Sequence, residues 1–79
     1  MAIEGSIVEV MESWPLQLTV ETEAGRYQVS LLSETTVTRE GETVDPGELM
    51  PGLRIRVGGQ SSGANAMTAR AIEILSEDT

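Results

Sequence analysis

Cysteine, histidine, lysine and phenylalanine are all missing from this sequence of 79 residues. Without cysteine no disulfide can staple the fold, and without cysteine or histidine the usual zinc and iron–sulfur sites have no ligand set. The three missing polar residue types are also the commonest general bases and activated nucleophiles, so the sequence is read as that of a non-enzyme. Aromatic residues make up only 3%, namely Trp14 and Tyr27. No apolar run approaches the ~20 residues of a membrane helix, which argues against a membrane partner. Residues 1–6 have neither the basic region nor the apolar region of a secretion signal. As given, the chain is expected in the cytoplasm; removal of a signal peptide in maturation would make it secreted or periplasmic.

A chain this short forms one domain, spanning 1–79, and buries only about 60–65% of the surface its unfolded form exposes. With disulfides and the usual metals excluded, unusually good packing or self-association must complete so thin a core. Apolar residues account for 39% of the sequence and are mostly Val, Ile, Leu, Met and Ala, an aliphatic set suited to strands.

Thirteen acidic residues against five basic ones leave a net charge of -8. All five cations are arginines: Arg26, Arg39, Arg54, Arg56 and Arg70. Such a charge favours solubility and repels a phosphate backbone, so nucleic acid is a disfavoured partner. Adaptation to a salty cytoplasm and a basic partner are the alternatives.

Period-two alternation dominates the chain. Leu16, Leu18 and Val20 share one face of a strand, Tyr27, Val29 and Leu31 that of another, with a turn at 22–25 between them. Gly25 can take positive φ there. A first strand is predicted over 3–11, with a bulge or bend at Gly5, and Pro15 breaks the chain after it. A short strand over 35–39, brief pairing at 43–44 and a strand over 53–57 follow. The segment Asp45–Met50 carries one helical turn, with Asp45 as cap, Pro46 at the first position and Glu48 as capping-box partner. Gly58–Asn65 has the composition of a flexible loop, and a last strand covers 67–75. Six strands and no long helix predict an all-β, OB-like barrel, closed or partly open, with at most one helical turn at 45–50.

The ordered series Gly5-x-Ile7, Leu16-x-Leu18-x-Val20, Gly25 with Tyr27-x-Val29, Thr36-x-Thr38, Leu49-x-x-Gly52-x-x-Ile55-x-Val57-x-Gly59 and Ala71-Ile72-x-Ile74 resembles a bacterial domain-of-unknown-function family of small OB-like barrels. It is similar, more loosely, to the bacterial OB-fold family of periplasmic stress-associated proteins. The resemblance implies a fold, with no catalytic residue and no cofactor to carry over. The missing signal peptide departs from the secreted context of that family.

Candidate contacts are Trp14, Arg54 and Arg56. Trp14 is either a plug folded into the barrel mouth, the favoured alternative in a core without phenylalanine, or an exposed anchor for a partner or ligand. Arg54 and Arg56 share the outward face of one strand and can serve an oligonucleotide, but pairing with carboxylates on neighbouring strands is the expected arrangement. The acidic cluster Glu40, Glu42, Asp45 and Glu48 lacks the ordered spacing of a calcium loop, so no metal is expected. The function expected is a non-catalytic binding or adaptor module working through protein–protein contacts, by edge-strand addition or the Trp14 loop. The alternative is a self-associating, homo-oligomeric barrel joined through Ile7, Met11, Leu32 and Met50, which fall off the inward parity. Less expected is oligonucleotide binding through Arg54, Arg56 and Arg26 or Arg39. A domain taken from a larger parent is the remaining alternative.

Overall fold

The alternating segments form six strands in a computed structural model that describes residues 1–13 and 16–77, with side chains described as far as Leu75. They are β1 (Ala2–Met11), β2 (Gln17–Thr22), β3 (Gly25–Arg39), β4 (Glu42–Thr43), β5 (Leu53–Gly63) and β6 (Ala66–Glu77). The sheet order is β2-β1-β5-β6-β3-β4, and β2 also pairs with β3. Five strands therefore close on themselves, and β4 adds to the outer edge of β3. Every pairing is antiparallel except β3 with β6. This is the OB-like barrel expected from the alternation, and closure removes most of the open edge that a sheet of this size would otherwise present.

The β2–β3 hairpin is the segment that the alternation specifies best. Leu18, Val20, Val29 and Leu31 are buried, Leu16 and Tyr27 pack beside them, and Gly25 takes a φ of 117° at the turn. The core adds Ile7, Val37, Leu49, Leu53, Ile55, Val57, Met67, Ala69, Ile72 and Ile74. Between β4 and β5, the predicted turn is a short 3-10 helix over Pro46–Glu48. Asp45 caps it by accepting from the Gly47 amide at 2.7 Å. Glu48 does not complete a capping box; its carboxylate pairs with Arg39 at 3.2 Å.

Three further expectations need correction. The segments 26–31 and 35–39 are one strand, β3, rather than two. Its pairing with β6 shifts between Leu31 and Thr36, where β3 has extra residues opposite Arg70. Thr35 holds that bend: its buried hydroxyl donates to the Ala69 carbonyl at 2.8 Å and accepts from the Leu32 amide at 2.7 Å. Gly58–Asn65 is not a flexible loop. β5 continues to Gly63, and only Ala64 and Asn65 turn, Asn65 at a φ of 55°. Glycine is needed at position 59 for close approach, because a Cβ there would run into the Thr68 carbonyl.

Ile7 is likewise buried, at 1% exposure, and cannot serve as an outer contact. The β1–β2 register slips between Ile7 and Glu9, so Val8 bulges outward and adjacent apolar residues face opposite ways. The brief pairing expected at 43–44 is present and begins one residue earlier: Thr38 and Arg39 pair with Thr43 and Glu42, and the Val44 amide donates to the Val37 carbonyl at 2.8 Å. Gly5 marks the bend predicted for β1. It lies where β1 passes from β5 to β2, and the Glu21 backbone leaves no room there for a side chain.

Candidate binding surface

Arg54 and Arg56 project outward from β5 because Leu53, Ile55 and Val57 take its inward positions. The register puts Glu4 of β1 and Glu73 of β6 on either side of Arg56. Glu4 bridges both arginines, at 3.3 Å to Arg54 and 3.4 Å to Arg56, and Glu73 takes the other arm of Arg56 at 3.4 Å. The cross-strand pairing expected of these arginines is what the structure shows. Arg39 is paired with Glu48, and Arg26 lies 3.9 Å from Glu21. Arg70, at the irregularity in β6, makes no ion pair among the described residues. Trp14, the remaining candidate, lies outside the described residues.

Two open depressions mark the outer surface. One, of about 400 Å³, lies between the start of β1 and the β2–β3 turn, floored by Ile3 and Tyr27 and rimmed by Glu4, Glu23 and Arg54. The other, of about 290 Å³, is left by Gly58 between Ala2 and Ala71, with Arg56 and Glu73 at its rim. Both are shallow, and the ionic groups at their rims already meet a partner or face water. Among the described residues, no buried side-chain polar atom lacks a hydrogen bond and no group of acidic residues is placed to hold a metal ion. No helix among them is long and apolar enough to cross a membrane.

A different surface stands out by its lack of charge. The three longest stretches of sequence without a charged residue are 13–20, 27–33 and 57–69. They supply β2 as far as Val20, the first part of β3 and the β5–β6 hairpin, and the strand pairing brings these together. Gln17 lies opposite Ser30, Ser30 opposite Thr68, and Thr68 opposite Gln60, giving an uncharged band across four strands. Alternation turns these residues outward, since Leu18, Val29, Leu31, Met67 and Ala69 beside them are buried.

Side chains within the band bond one another. The Thr19 hydroxyl donates to Gln28 Oε1 at 3.3 Å, and Gln28 Nε2 donates to Gln17 Oε1 at 3.4 Å. Exposed Met11 lies opposite Gln17, and exposed Leu32 follows Ser30 by two positions on β3. Sequence patterning missed this surface because its pieces are far apart in the chain. The uncharged runs were its one visible signal, and only the strand register shows that they meet.

Comparison with protein-family models, with curated proteins and with solved structures finds no match to this chain.

Proposed function

We propose that the domain is a non-catalytic binding module that acts through protein–protein contacts made on the uncharged band. The observation that carries this is the convergence of three charge-free segments on one surface of a chain with a net charge of -8. Ligand-binding surfaces on such barrels lie on the outer faces of strands and loops. On this one, amides and hydroxyls flanked by Met11 and Leu32 offer hydrogen bonds and apolar contact without an ionic requirement. The same surface is poorly suited to an oligonucleotide. The outward residues of β2 and β3 include no aromatic platform for bases, and Arg26, Arg39, Arg54 and Arg56 are engaged by carboxylates. Catalysis is disfavoured by the residue types that the sequence lacks. Membership of the bacterial family of small OB-like barrels belongs to the same proposal, and the strand order is consistent with it.

The test is retention of proteins from the source cell on the immobilised chain. Wild type is compared with a Thr19→Glu, Ser30→Glu variant that charges the band, and with an Arg54→Ala, Arg56→Ala variant as control. Retention lost in the first variant and kept in the second is the expected result. Equal retention by all three, or no retention by wild type together with no self-association of the chain, would remove the proposal.

A further inference from the structure

We infer that the partner of the uncharged band is a second copy of this chain. The inference rests on the band being a protein-binding surface and names what it binds. Three observations select the occupant. The first is charge. Away from the band the surface carries carboxylates that make no ion pair among the described residues, including Glu34, Glu42 and Asp45, and Glu9 borders the band opposite Thr19. A basic partner would gain most from those positions and has no reason to prefer a surface without charge. A second copy also carries -8, so it can approach at low cost only where both molecules are uncharged.

The second is self-complementarity. In a two-fold contact the same patch faces itself, so its groups must pair with their own kind. A carboxylate or guanidinium cannot do this. Gln17, Gln28, Thr19 and Ser30 can, because amides and hydroxyls both donate and accept. The third is the apolar margin. Met11, on β1 opposite Gln17, is 50% exposed, and Leu32, on β3, is 40% exposed. Two copies face to face would cover both. The extents of the barrel, 30 × 28 × 22 Å, limit the contact to the small end of protein interfaces. A Kd on the order of 100 µM is expected for it.

Salt gives the inference its sign. The screening length shrinks from roughly 20 Å at about 20 mM salt to roughly 4 Å at about 500 mM. Repulsion between two like-charged copies fades over that range while the neutral contact is kept. The experiment is sedimentation equilibrium of the full chain, from micromolar to about millimolar concentration at both salt levels. A monomer–dimer equilibrium that tightens about tenfold at high salt is expected. Thr19→Glu should weaken it about tenfold or more, because the new charge, added beside Glu9, must be covered by a second copy that is itself negative. Arg54→Ala should leave it within about twofold, the range for a residue outside the contact.

Because a charged variant can lose its fold, the side-chain amide resonances of Gln17 and Gln28 supply an independent readout in wild type. They should move with concentration. A strictly monomeric chain at both salt levels would overturn the inference, but band-dependent retention of other proteins would still support the binding-module proposal. Dimerisation that weakens with salt would overturn it by pointing to a charged contact. Dimerisation unchanged in folded Thr19→Glu would overturn the inference, because the band would then not be the interface between copies, while the retention test would still decide the binding-module proposal.

Discussion

Gly58 and Gly59 are neighbours in sequence, but their structural surroundings predict opposite responses to the same substitution. A Cβ on Gly59 would penetrate the Thr68 carbonyl oxygen and stand 3.0 Å from its carbon and 3.1 Å from Ala69 Cα. All three obstacles are backbone of β6, which is held on its other side by β3, so they cannot yield as a side-chain tip would. Relief requires β5 and β6 to separate locally by about 1 Å, a change in the range of severe overpacking at about 3 kcal/mol. A chain of 79 residues at ordinary stability per residue has about 4–12 kcal/mol in total, so Gly59→Ala removes a large fraction.

At Gly58 a Cβ meets nothing within 4 Å, so Gly58→Ala should be neutral or stabilising by about 0.4–1 kcal/mol through the unfolded chain. Thermal unfolding followed by far-ultraviolet circular dichroism should place the Gly59→Ala midpoint roughly 15 °C below wild type. The Gly58→Ala midpoint should lie at or slightly above wild type. If both variants fell within about 1 kcal/mol of wild type, the tight β5–β6 contact would be refuted. A flexible loop over 58–63 would then be the correct description.

Thr35→Val keeps the shape of the side chain but removes the hydroxyl bonded to the Ala69 carbonyl and the Leu32 amide. It should cost about 1–3 kcal/mol in urea denaturation and speed amide exchange at Leu32, whose part-buried N–H loses its acceptor. Glu4→Gln removes the carboxylate that bridges Arg54 and Arg56, yet these groups are each 41–54% exposed. The loss should stay under about 1 kcal/mol at low salt and vanish at about 1 M salt, which denaturation midpoints at two ionic strengths would show.

The β2–β3 hairpin was legible in sequence because one face of it is core and the other is solvent, so a single period decides every residue. The same period broke down wherever the barrel bends. Ile7 and Val8 form an apolar pair with no visible parity until the bulge separates them. The division of β3 into two strands reflected its irregular middle, where Leu31 and Leu32 are also adjacent apolar residues and only Leu31 is buried. Gly58–Gly63 misled for a different reason. Glycine can be selected for freedom or for close approach, and local sequence does not distinguish them, because the obstacle at Gly59 is Thr68, supplied by the next strand. For the candidate surface, the arginine pairs were legible from charge and alternation. The band was not, since Gln17 and Gln60 belong together only through Ser30 and Thr68.

The two closely packed glycines also connect the fold to the proposed interface. Gly5 lies where β1 leaves β5 for β2, and Gly59 lies where β5 passes the start of β1 and continues beside β6. At both places a strand changes neighbours, and the missing side chain lets the backbones approach closely enough for the barrel to close. The segment of β5 beyond Gly59 then carries Gln60 into line with Thr68, while β3 holds Thr68 in line with Ser30 and Gln17. The uncharged band thus depends on the same close approach that closes the barrel. A substitution that forces β5 from β6 at Gly59 should disturb the Gln60–Thr68 part of the band before it affects the Gln17–Gln28 part. The latter is built within the β2–β3 hairpin by its own side-chain hydrogen bonds. Losses of stability and of association at Gly59 should therefore occur together, whereas charging Thr19 should weaken association at a stability cost of only about 1 kcal/mol, since Glu9 lies opposite it and the bond to Gln28 is lost.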